Sequence, residues 1–99
     1  MKIEITKQVN VKMVVDIDFP YYYKYDLTDY DYESTSVIYG KITEIGEVRI
    51  HEKIRSKNNA VYEIEKNNRR DCYFEEKYKS TEEEYNKAKE RAKHFFNVL

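Results

Sequence analysis

Hydrophobic residues alternate almost without a break at the start of the chain. Ile3, Ile5, Val9, Val11, Met13, Val15, Ile17 and Phe19 occupy odd positions, and Lys7 alone interrupts them. The even positions between them carry Lys2, Glu4, Thr6, Gln8, Asn10, Lys12, Asp16 and Asp18, with Val14 the exception. A period of two over such a length means β-strand with one buried face. The run exceeds the usual strand of about 5–6 residues, so it either bends near Lys7-Gln8 or lies long along a sheet edge. Pro20 ends it, because proline donates nothing to a ladder.

Residues 36–78 suggest a meander of four further strands. Ile38 and Ile42, then Val48, Ile50 and Ile54, then Tyr62 and Ile64, then Cys72 and Phe74 all fall on even positions. Hairpin loops of three residues keep even opposite even. Glu44-Ile45-Gly46, Lys57-Asn58-Asn59 and Asn67-Asn68-Arg69 supply such loops, with Gly46 and Asn59 at the left-handed places. The expected opposite pairs are Ile42 with Val48, Ile54 with Tyr62, Ile64 with Cys72 and Tyr62 with Phe74. The last segment is a helix: Ser80 or Thr81 caps it, Glu82, Glu83 and Glu84 favour its N-terminus, and Tyr85, Ala88, Ala92, Phe95, Phe96 and Leu99 form one apolar face. The fold class is therefore α+β: an antiparallel sheet of about five strands with one C-terminal helix packed on its even face, in a single small domain over residues 1–99.

Composition limits the core and the chemistry. Leu, Ile, Val and Phe total 23 of 99 residues, close to the level of roughly 20% where disorder becomes the better reading. Eleven tyrosines add apolar area. With so thin a core, a second copy in a homodimer could supply part of it. The formal net charge is −1, which excludes a strong global attraction to nucleic acid or to acidic membranes but not local patches. One cysteine excludes an internal disulfide and a four-thiolate zinc site. Two glycines, Gly40 and Gly46, exclude a phosphate-cradling or dinucleotide loop. No run approaches a membrane span and the N-terminus lacks an apolar signal core, so a cytoplasmic protein is expected. Lys, Asn, Ile and Tyr make up 40 of the 99 residues, which indicates an AT-rich gene from a low-GC bacterium or one of its mobile elements.

No nucleophile, base and orienting group stand in a recognisable arrangement, so the chain reads as a non-enzyme without cofactor or metal. Cys72 has acidic neighbours, which raise a thiol pKa, and reads as core. His51 and His94 read as structural or solvated. Two surfaces remain. The first is a loop over residues 20–35 rich in Tyr and Asp. Between Asp16 and Glu33 six acids meet one lysine. Tyr21, Tyr22, Tyr23, Tyr25, Tyr30 and Tyr32 with Asp26, Asp29 and Asp31 would anchor on a protein partner with a basic surface, such as a nucleic-acid-processing complex. Small phage or mobile-element inhibitors of the anti-CRISPR kind and immunity proteins have this general character. The competing reading folds the rings back onto the thin core.

The second surface is basic. Arg49, His51, Lys53 and Arg55 share one parity, Lys57 extends them, and Tyr39 would share their face; such a face suits single-stranded nucleic acid. Its competing reading is a solvated face balanced by Glu63, Glu65 and Glu75 on neighbouring strands.

Overall fold

The computed structural model describes residues 1–8, 11–27, 35–56, 59–69 and 73–98. The fold is α+β, with six strands in two antiparallel sheets and one C-terminal helix packed against the larger sheet. In chain order the elements are β1 (Lys2–Gln8), β2 (Val11–Asp16), β3 (Tyr21–Asp26), β4 (Thr35–Ile42), β5 (Glu47–Ser56), β6 (Asn59–Asn67) and α1 (Glu82–Val98), with a 3-10 turn at Glu76–Tyr78.

The long N-terminal strand expected from the alternation is a hairpin. β1 and β2 pair antiparallel, with Ile3 opposite Val15 and Ile5 opposite Met13. The pattern survives the reversal because cross-strand partners share a face, so odd residues of both arms stay together. The register shifts between Thr6 and Gln8, next to the break at Lys7. Ile17, just beyond β2, is buried and donates its N–H to the Met1 carbonyl at 2.7 Å.

The larger sheet has the order β3-β4-β5-β6, each neighbour antiparallel. Its first strand lies inside the stretch expected to be a loop. Tyr21–Asp26 pairs with β4, from Tyr21 opposite Ile42 to Asp26 opposite Val37. Tyrosine favours strands, but here it occupies both faces, so no alternation reveals the strand.

The β4–β5 connection corrects the expected register. Ile42 lies opposite Glu47 and Lys41 opposite Val48, so four residues, Thr43 to Gly46, form the turn instead of three. Thr43 closes it, donating its N–H at 2.8 Å and its hydroxyl at 3.3 Å to the Gly46 carbonyl. Gly46 does not have positive φ. Glycine is needed there because a Cβ would press on the Asn67 carbonyl oxygen at 2.8 Å. One extra residue in a turn turns every side chain of the preceding strand over. Tyr39 and Val37 therefore face the helix with Ile50 and Tyr62, while Ile38 and Ile42 face away.

The even face does hold for β5 and β6. Ile50 pairs with Ile64, Glu52 with Tyr62 and Ile54 with Ala60, past an irregularity between Ile54 and Ser56. Ile54 thus meets Ala60 instead of Tyr62, and Asn59 belongs to β6 opposite Ser56. The expected fifth meander strand is not found at Phe74, which lies between β6 and the 3-10 turn and packs on the face away from the helix. Cys72, Leu99 and the loop positions Lys57 and Asn58 lie outside the described residues.

Two cores result, one on each face of the larger sheet. Beneath α1 lie Tyr39, Ile50 and Tyr62 with Tyr85, Ala88 and Ala92, joined by Tyr22, Val37, Ala60 and Phe95. Ala88 and Ala92 are fully buried, and their small side chains let the helix lie close to the strands. Phe96, expected on the apolar face, is 46% exposed. Thr81 caps the helix, its hydroxyl accepting the Glu84 N–H at 3.2 Å, while Glu84 accepts the Ser80 hydroxyl at 2.9 Å. On the other face Tyr23, Ile38 and Ile42 are covered by Phe19, Tyr21, Tyr25, Tyr73, Phe74 and Tyr78. The chain then returns to the sheet: Tyr23 bridges Lys79, and Ser80 donates to the Tyr22 carbonyl at 2.9 Å.

Candidate functional site

The tyrosine stretch divides into two parts. Tyr21, Tyr23 and Tyr25 project to the far face and Tyr22 to the helix face, as alternation along β3 requires. Tyr23 is 1% exposed. Its ring stacks parallel on Tyr73 at 4.2 Å, and its hydroxyl donates to Glu47 Oε2 at 2.5 Å. Burial and then this hydrogen bond push its pKa far up. Tyr21 packs edge-on to Phe74 at 5.1 Å, Tyr25 touches Tyr73 and Tyr78, and Tyr22 meets Tyr85 at 5.4 Å. These four rings fold onto the core, and Tyr23 is closed to any partner.

Acids remain outside. Asp26 ends β3 exposed. Leu27 follows at 39% exposure, its N–H bonded to the Ser36 carbonyl at 2.7 Å. Asp16 and Asp18 flank the sheet, and the Met1 amine lies 3.1 Å from Asp16 and 4.0 Å from Asp18. Asp29, Tyr30, Asp31 and Tyr32 lie outside the described residues.

The basic row behaves differently. Arg49, His51 and Lys53 do share the face away from the helix. Tyr39 does not share it. The β4 flip buries this ring under α1, where its hydroxyl accepts from Arg91 Nη2 at 3.4 Å. An aromatic platform with these bases is therefore not assembled at Tyr39. Arg49 is only 9% exposed and lies 3.6 Å from Glu65, 4.0 Å from Glu47 and 6.0 Å from the Tyr73 ring. Lys53 Nζ sits 3.1 Å from Glu63, which holds the Glu63 carboxyl below its usual range. Cross-strand carboxylates thus answer both bases. Arg55 lies in β5 with its side chain outside the description, and Lys57 lies outside altogether.

His51 Nε2 lies 2.5 Å from Ser36 Oγ. Burial first, then Lys53, hold its pKa below the ordinary value, which favours the neutral ring; which partner donates in the bond to Ser36 follows the ring tautomer. Among the described residues no carboxylate hydrogen-bonds its other nitrogen, and no third catalytic member is assembled. Nor does any group of three or more His, Cys, Asp or Glu converge on a metal position among them.

Sequence reasoning missed two buried carboxylates. Glu52, 7% exposed, accepts from the Tyr62 hydroxyl at 2.7 Å and from Arg91 Nε at 2.6 Å. Glu47, 3% exposed, is held by Tyr23. Glu52 had a signal: it sits between Ile50 and Ile54 at core parity, where a charge demands a partner. No helix among the described residues is long and apolar enough to cross a membrane. A scan against protein-family models and searches of curated proteins and of solved structures find no match to this chain.

Proposed function

We propose that the protein is a non-enzymatic protein-binding module that docks on a basic partner surface through the acidic segment beginning at Asp26. The observation behind this reading is the change of character along one stretch of chain. Through Tyr25 the aromatic side chains are committed to the core, whereas Asp26 and Leu27, the next two residues, are exposed. From Asp26 to Glu33 the sequence holds four acids and no base. The Leu27–Ser36 hydrogen bond fixes the stem from which that segment departs. Carboxylates interleaved with Tyr30 and Tyr32 on a fixed stem suit a surface of Arg and Lys, with charge setting encounter and aromatic area setting affinity. A nucleic-acid-processing complex offers such a surface, and a small phage or mobile-element inhibitor or an immunity-type protein would use it.

Capture of partners from the lysate of a low-GC bacterium tests this, comparing wild type with Asp29→Asn/Asp31→Asn/Glu33→Gln and with Tyr30→Ala/Tyr32→Ala. Both variants should fold as the wild type by circular dichroism. Each should lose its basic partner by at least about tenfold, equivalent to about 1.4 kcal/mol. Retention of every wild-type partner by both variants overturns the reading.

A further inference from the structure

We propose that the outer edge of β6 is a second binding site, which takes an extended strand of a partner protein whose side chains alternate basic and apolar. This goes beyond the acidic segment and does not depend on it. β6 ends the sheet order, and among the described residues no backbone hydrogen bond is made to its outer side. The other edge, β3, is capped at Tyr22 and Tyr23 by Lys79 and Ser80. Residues 63–67 of β6 are all exposed. An open edge presents a row of main-chain donors and acceptors, and an added strand satisfies them.

The side chains along this edge specify the occupant. Glu63 and Glu65 stand on the far face with side chains 49% and 51% exposed. Glu63 spends one oxygen on Lys53, and Glu65 spends one on Arg49 and Asn67. The second oxygen of each takes no partner among the described residues, and a carboxylate accepts at both. On the helix face Ile64 is 47% exposed and Phe96 46%. The end of α1 is fixed over this edge by Phe95, which packs on Tyr62 at 5.5 Å and on Phe96 at 5.3 Å. A strand placing Lys or Arg against Glu63 and Glu65 places its alternate residues against Ile64, because the period is two. A second copy of β6 fits poorly. Antiparallel self-pairing centred on Ile64 sets Glu63 opposite Glu65, and centring on either glutamate sets identical carboxylates face to face. Like charges directly opposite are destabilising.

The probe is a fluorescent peptide of alternating lysine and valine, about eight residues long. Its controls are the block isomer, with lysines and valines segregated, and the alternating peptide N-methylated at every second amide. In fluorescence anisotropy at low salt the alternating peptide should bind, and both controls should bind at least about tenfold more weakly. Glu63→Gln/Glu65→Gln should weaken it by a similar factor. Asp29→Asn/Asp31→Asn/Glu33→Gln should leave it unchanged, which separates this site from the acidic segment. Amide chemical shifts should move in residues 63–67. Absence of binding, equal binding of the controls, or shifts confined to other residues overturns the proposal. So does a sedimenting dimer with β6 amides protected from exchange, because a second copy then occupies the edge.

Discussion

The two faces of the larger sheet solve the same problem by different means. Each buries a glutamate and gives it a tyrosine hydroxyl: Tyr62 to Glu52 beneath the helix, Tyr23 to Glu47 on the far face. Beneath the helix, Arg91 adds a charge-assisted bond at 2.6 Å from a side chain that still reaches water. On the far face the nearest arginine atom, Arg49 Nε, lies 4.0 Å away and has no hydrogen-bond partner itself. A regular helix brings a long donor to a set height over the sheet. The irregular aromatic segment around Tyr73 brings rings, which stack on Tyr23 and exclude water from this face. The helix face thus meets its glutamate with a hydroxyl and a guanidinium, whereas on the far face the Tyr23 hydroxyl holds Glu47 among stacked rings.

The largest effect should come from Gly40→Ala. The added methyl would fall inside the ring of Tyr23, so the ring must leave its place. Overpacking and loss of the Glu47 bond together should lower stability by about 3 kcal/mol, read by urea denaturation. No position beneath the helix carries a glycine with such a contact. Next, Tyr23→Phe should cost about 1–3 kcal/mol, because it strips the described hydroxyl donor from a buried carboxylate. Tyr62→Phe should cost about 1 kcal/mol, because Arg91 stays on Glu52. Equal losses from the two substitutions would show that the remaining surroundings of Glu47 hold it as well as Arg91 holds Glu52.

The smallest effect concerns pH. His51 is flanked on its face by Arg49 and Lys53, and Glu63 and Glu65 oppose the row. Its folded pKa lies below the ordinary 6.5, so the unfolded chain binds the proton more tightly. The associated stability is present above pH 6.5 and is lost as pH falls through 6.5 toward the depressed value. Thermal melts between pH 7.5 and 5.5 should fall less in His51→Gln than in wild type.

How much of this was legible in the sequence follows from what each pattern can carry. The helix was readable because Tyr85, Ala88 and Ala92 recur at its period and Thr81 caps it. The shared face of Ile50, Tyr62 and Ile64 was readable because the β5–β6 connection preserves parity. The face of Ile38 and Ile42 was not, since parity passes through a turn only if its length is known. Turns of three and four residues fit Thr43–Gly46 about equally well. β3 was hidden because tyrosine serves as wall and as interface alike. Of the two candidate surfaces, parity placed Arg49, His51 and Lys53 on one face and offered Glu63 and Glu65 as their balance, as the structure pairs them, but it could not see Tyr39 turn away, because that depends on the β4–β5 turn.

The stretch from Tyr73 to Ser80 has a consequence for how the molecule comes into being. It roofs one side of the sheet, fastens to β3 and leads directly into the element that roofs the other. Neither hydrophobic side has its full cover until the residues from Tyr73 onward have emerged. A ribosome making this protein in order therefore extrudes the four strands of this sheet before their cover, and lasting shelter comes only afterwards, through contacts between residues far apart in sequence.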